Sequence, residues 1–219
     1  LTGRKELLAE FLGTALLLVV VVGSGVMGER LAGGNAAVAL LANAIATGAG
    51  LYVLIHVFGP ISGAHFNPIV TGWVRLKGDI GTRTFVAYGL AQFAGAVAGV
   101  FLTHYIFVLP ILQFSAHARD GLPQCVSEAL ATFGLLLTIA GFSRHQPSLT
   151  PAGVALYITG AYWFTSSTSF ANPAVTFARM LTNTFAGIAP HSVPAFVAGQ
   201  VLGLTVFVAV WRMLEDARA

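Results

Sequence analysis

The chain has 219 residues, 56% hydrophobic and 9% charged, with a mean hydropathy of +0.81. Soluble domains carry charge at roughly a quarter of their positions, so a water-solvated globule is excluded and lipid is the expected solvent. The net charge of +3 comes from 11 basic and 8 acidic residues that form no stripe, which argues against a nucleic-acid partner, and the single Cys125 excludes an internal disulfide or a cysteine-rich metal site.

Helices of about 20 residues cross a ~30 Å hydrocarbon core, and apolar runs of that order lie near 7–27, 36–58, 85–109, 123–142, 153–170 and 193–214. The first follows Arg4 and Lys5, is longer than a signal-peptide core and has no small-residue cleavage site, so it reads as a span. Two further apolar stretches, 68–77 and 173–182, are too short to cross. At about 1.5 Å per residue they reach roughly half the core, which predicts half-helices. The expected fold is an all-α membrane protein of six transmembrane helices and two re-entrant half-helices. Six spans put both termini on one side with Arg4, Lys5, Arg75, Lys77, Arg83, Arg144, Arg212 and Arg218, against Arg30, Arg119 and Arg179 on the other. That bias predicts cytoplasmic termini.

The halves repeat. EFLGT at 10–14, Asn67-Pro68 and QFAG at 92–95 recur in order as EALAT at 128–132, Asn172-Pro173 and QVLG at 200–203. Each half holds three spans, an odd number, so the second must enter from the opposite face. The chain therefore reads as one channel domain, 1–219, of inverted repeats 1–110 and 123–219 joined by 111–122, with a functional site where the halves meet. Gly95 and Gly99, and Gly199 and Gly203, are small-residue pairs suited to close helix crossing within one subunit. The connection 110–121, with His117, Arg119 and Asp120, is the longest polar one and is placed to fold over the outer mouth.

Asparagine is a favoured N-cap and proline suits the first helical position, so each Asn-Pro starts a helix. In inverted copies the two half-helices point their N-termini at each other. Irregular backbone at that depth is tolerated only in protein or beside a wet cavity, and the polar run 165–169 favours the cavity. Two helix N-termini, each about half a positive charge, oppose cations but not neutral solutes, while the amides of Asn67 and Asn172 donate to a passing oxygen.

SGAHFNP at 62–68, FANPAV at 170–175 and the paired Glu10 and Glu128 resemble the aquaporin, or major intrinsic protein, family over nearly the whole chain. The resemblance implies a pore midplane at Asn67, Pro68, Ile69, Asn172, Pro173 and Ala174, with Ile69 where alanine is usual and so a slightly reshaped midplane. It implies an outer filter at Thr47, Gly160, Ser169 and Val175, where Val175 takes the place of the family's arginine. Such a filter is wide and uncharged, and favours glycerol, urea and neutral metalloid hydroxides as well as water. The chain is most similar to a bacterial subgroup associated with arsenic detoxification, which implies arsenite passage and an inner-membrane location. The resemblance also implies a homotetramer, no cofactor, and glutamates that accept hydrogen bonds from the two re-entrant loops. His65 is expected to brace the first loop. Arg179 has two readings, a displaced filter residue in the vestibule or, more simply, an arginine snorkelling at a helix end. A secondary transporter is the competing function, since inverted repeats with broken helices describe those too; it needs a carboxylate ion site near midplane. No nucleophile sits beside a base, so an enzyme is not expected.

Overall fold

The computed structural model describes residues 3–216; Arg218 lies outside them. Eight α-helices follow one another: α1 (Arg4–Leu31), α2 (Ala36–Ser62), α3 (Pro68–Leu76), α4 (Thr82–Ile106), α5 (Leu122–His145), α6 (Thr150–Phe164), α7 (Pro173–Arg179) and α8 (Val193–Asp216). Five of the long helices have the length and apolarity to cross a membrane. The sixth, α6, has 15 residues, about 22 Å of helix, and is preceded by a single 3-10 turn at Pro147–Leu149. The expected span 153–170 is therefore too long at its end. The chain leaves the helix at Thr165, whose backbone is extended (φ −113°, ψ 138°) and whose hydroxyl donates to the Ala161 carbonyl at 2.6 Å. Residues 165–172 instead form the arm that leads back to α7.

Packing follows the inverted repeat. α1 lies against α4 and α2, α5 against α8 and α6, and α2 against α6, while the short α3 and α7 fill the middle and touch each other. The contacts that set the two closest pairs are backbone contacts. A methyl group on Gly95 or Gly99 would overlap the carbonyls of Phe11 and Ala15 on α1, and one on Gly199 or Gly203 would overlap those of Cys125 and Ala129 on α5. In lipid, where apolar side chains gain little by leaving one apolar medium for another, such close approach is a main source of helix association. The distribution of side chains is correspondingly turned outward. Leu90, Leu156 and Tyr105 are exposed on the outer surface, whereas Glu10, Gln92, Glu128 and Gln200 are fully buried.

Gly95→Ala should lower stability by about 1–3 kcal/mol through overpacking. Gly89→Ala, on the same helix with nothing within 4 Å of the added methyl, should be neutral or gain up to about 1 kcal/mol. The comparison is read as thermal unfolding midpoints in detergent.

Candidate functional site

The half-helices begin as their asparagines dictate. Asn67 Oδ1 accepts from the Ile69 N–H at 2.9 Å, and Asn172 Oδ1 accepts from those of Ala174 and Val175 at 3.0 and 3.2 Å. With each oxygen fixed as acceptor, each amide nitrogen must face away from its own helix. Asn67 Nδ2 donates to the Ala171 carbonyl at 2.7 Å, and Asn172 Nδ2 to the Phe66 carbonyl at 2.8 Å. The caps thus cross-link the two re-entrant loops and set α3 and α7 N-terminus to N-terminus. One hydrogen on each amide remains for the cavity, whose wall includes both residues.

The loops before the caps are strained. Ala64, Phe66, Thr168, Ser169 and Ala171 all have φ between 48° and 61°, a left-handed conformation that costs a side-chain-bearing residue on the order of 1 kcal/mol or more. Two buried carboxylates hold them. Glu10 accepts from the N–H groups of His65 (2.9 Å) and Phe66 (2.8 Å), the Ser62 hydroxyl (2.6 Å) and the Gln92 amide (2.8 Å). Glu128 accepts from the N–H groups of Phe170 and Ala171, both at 2.8 Å, and from the Gln200 amide at 2.6 Å. Each glutamine also donates to a threonine, Thr71 or Thr176, which in turn donates to the carbonyl of its cap asparagine. Charge-assisted bonds of this kind are worth about 1.5–3 kcal/mol each, enough to hold the strained turns.

A cavity of about 270 Å³ runs past both asparagines, from Lys77, Ser143 and Thr150 at one end to Thr47, Tyr162, Ser169 and Arg179 at the opposite end. Four helices wall it with apolar pairs one turn apart: Leu17 and Val21, Leu51 and Ile55, Leu135 and Ile139, Val154 and Ile158. The polar side is the first re-entrant loop, Gly63 through Asn67, with Ser169 and Asn172 from the second. Among the described residues, no carboxylate lines it.

Several expectations need correction. Gly160 is exposed and absent from the wall; the α6 face that meets the cavity carries Val154, Ile158 and Tyr162, so Tyr162 stands where Gly160 was expected. Its hydroxyl lies 3.2 Å from that of Thr47. Ile69 and Ala174 are buried in the packing rather than on the wall; Val70 and Val175, one turn in from Asn67 and Asn172, take that role. Pro68 and Pro173 are the first helical residues and likewise stand behind the lining. Arg179 does not snorkel: it is 2% exposed, its guanidinium lies over the Phe170 ring at 3.3 Å and its Nε donates to the Ala186 carbonyl. His65 both lines the cavity and bonds the Thr71 hydroxyl at 3.1 Å, edge-on to Tyr88.

The connection between α4 and α5 does lie over the mouth. Ser115 N–H donates to the Met180 carbonyl, Ala189 N–H to that of His117, and Arg119 N–H to the Ser192 hydroxyl. Asp120 accepts from Ser192 Oγ at 2.5 Å and meets His191 Nε2 at 3.1 Å. These bonds hold its carboxyl below the usual carboxylate range, so Asp120's share of the docking persists into mildly acidic solution and fades as pH falls through that lowered value, while the bonds from backbone N–H groups remain. Arg119, expected in this connection but with no role of its own, reaches inward to the Gly187 carbonyl at 2.9 Å.

Six long helices and two half-helices joined head to head on a polar-striped cavity define a membrane channel of the inverted-repeat class. The sequence pattern described as "Major intrinsic protein" matches residues 1–166, and the chain belongs to that family: it is a passive channel for small neutral solutes, not an enzyme. It is 50% identical over 215 residues to aquaglyceroporin AqpS of Rhizobium meliloti (strain 1021), covering 98% of this chain and 92% of that protein. It is 32% identical over 170 residues to the glycerol uptake facilitator protein of Streptococcus pneumoniae (strain ATCC BAA-255 / R6), covering 71% and 70%. The X-ray structure of the aquaglyceroporin from Plasmodium falciparum has the same fold, with a TM-score of 0.70 at 18% identity over 97% of this chain and 98% of that one.

Replacing Glu128 by glutamine puts an amide N–H against the donors of Ala171 and Gln200. The variant should lose about 2 kcal/mol or more of stability, and Glu10→Gln should behave alike. Both are measured as unfolding midpoints and as loss of solute flux in proteoliposomes.

Proposed function

We propose that this channel passes solutes larger than water, with glycerol and neutral metalloid hydroxides such as arsenous acid as its characteristic cargo and urea and water as further ones. The observation that carries this is Val175. It occupies the first turn of α7 on the cavity wall, where it offers neither charge nor donor, and its neighbours Thr47, Tyr162 and Ser169 contribute only hydroxyls. A solute at this point meets a few weak donors on one side and hydrocarbon on the other. That suits a molecule with its own hydroxyls and an apolar or polarisable body better than it suits water, whose lost hydration it replaces poorly. The names of the two relatives, aquaglyceroporin AqpS and the streptococcal glycerol uptake facilitator protein, support the same class.

Within this reading the chain is one channel domain of two inverted repeats in the bacterial plasma membrane. Its termini are cytoplasmic, on the side favoured by the basic residues, and four copies assemble as family membership suggests. A transporter is disfavoured because the acids available for ion coupling, Glu10 and Glu128, are occupied by backbone N–H groups.

Light scattering by proteoliposomes should show glycerol and arsenous acid fluxes that rise without saturation and ignore a proton or sodium gradient. Val175→Arg should reduce glycerol flux by roughly an order of magnitude, as a steric and charge obstruction of a fitted passage, while sparing water relatively well. Equal effects on the two would remove Val175 from the filter.

A further inference from the structure

Val175 leaves the filter uncharged, yet the outer mouth holds two cations. Arg179 lies one turn beyond Val175 on α7, and Arg119 descends from the α4–α5 connection. They hang on successive carbonyls, Arg179 Nε on Ala186 and Arg119 Nε on Gly187, and both guanidiniums face one ring, at 3.3 and 5.2 Å from the centre of Phe170. Arg119 Nη1 also points to the Ser167 carbonyl at 3.4 Å. Among the described residues, no carboxylate pairs with either arginine. Asp120, beside Arg119 in sequence, turns to Ser192 and His191, and the Glu128 carboxylate is taken up by Phe170, Ala171 and Gln200. Among the described residues, the one hydrogen bond of the Arg179 guanidinium is that of Nε to Ala186, and the side chain lies against the cavity although it is 98% buried. Ser169 Oγ, on the same wall, is likewise buried without a partner.

We propose that Arg119 and Arg179 together form the outer charge barrier of the channel, which makes Arg119, a residue of a surface connection, a determinant of its selectivity against cations. The proposal rests on the neutral-solute reading above and adds how a pore with an uncharged filter still rejects positive charge. The physical ground is range. In a narrow passage walled by protein and lipid, a fixed charge is poorly screened. At an effective dielectric constant of about 20 and a distance of about 10 Å, it changes the passage of a cation by roughly tenfold. The pair therefore adds to the barrier of the half-helix N-termini along the whole outer half. The aromatic ring and the two carbonyls supply partial negative charge that stabilises the cations without cancelling them.

The test measures proton leak with an enclosed pH-sensitive dye and glycerol flux by light scattering, on the same proteoliposomes. The ratio of proton leak to glycerol flux should rise about tenfold in Arg119→Gln. It should stay near the wild-type value in Arg119→Lys, which keeps the charge, and rise further in the double variant Arg119→Gln with Arg179→Gln. An unchanged ratio in Arg119→Gln overturns the proposal, as does an equal rise in Arg119→Lys, which would make shape and not charge the cause. Loss of glycerol flux in Arg119→Gln would assign the residue to holding the connection in place, and overturns it too. A wild-type protein that conducts protons but not glycerol sinks the neutral-solute reading itself, and the barrier with it.

Discussion

Backbone that leaves a helix at mid-membrane depth must find hydrogen-bond partners, because hydrocarbon offers none. Everything distinctive in this protein answers that constraint. Two chain segments unwind at the same depth, and each is met by a glutamate from one neighbouring helix and a glutamine from another, Glu10 with Gln92 and Glu128 with Gln200. Ionised acceptors suit the task because one carboxylate takes several N–H groups at once. The strained turns then direct the loops onto the cavity, and the two asparagines close the gap between halves by each donating to the other loop. The bracing is therefore part of the conduit: the same bonds that make the break tolerable shape the polar side of the lumen.

The rest of the lumen follows from economy of polar groups. Along the middle of the cavity four helices contribute only hydrocarbon, with their hydroxyls (Thr47, Ser143, Thr150 and Tyr162) confined to its two ends, so a solute there rides a single polar stripe. Positive potential is concentrated at three levels: Lys77 near one end of the cavity, the paired helix starts at Asn67 and Asn172, and the arginines at the far mouth. Lys77 is engaged by Asp79 at 2.6 Å and lies over Trp73 at 4.7 Å, so its charge is partly compensated, in contrast to Arg179.

The two half-helices were legible because the rules that make them are local: an asparagine cap, a proline at the first position and a run too short to cross. The four glycines of the helix crossings were legible for the same reason, and they do meet backbone carbonyls inside the subunit. What failed was register. The resemblance implies Gly160 by its spacing from the Asn-Pro motifs, but three of residues 165–171 between it and Asn172 have positive φ, so spacing alone does not carry a wall position across them. A helix apolar on every side gives no second indication of which face is inward. The end of α6 was missed because Ser and Thr, unlike Gly or Pro, continue a helix as readily as they leave one. Arg119 was hidden for a different reason: nothing in a polar connection says which of its side chains folds back, and only the docking of its backbone on Ser192 reveals it.

The shortness of α6 has a consequence for the lipid around it. Its neighbours α2 and α5 have 27 and 24 residues, so the protein's apolar girdle is lower on one flank, where Trp163 and Phe164 sit exposed at the helix end. Aromatic rings of that kind settle at the headgroup level, and a leaflet that follows them must thin locally, at a modest cost per ångström. The molecule thus presents an uneven rim to the bilayer, and membrane thickness becomes a variable that bears on one side of the channel more than on the other.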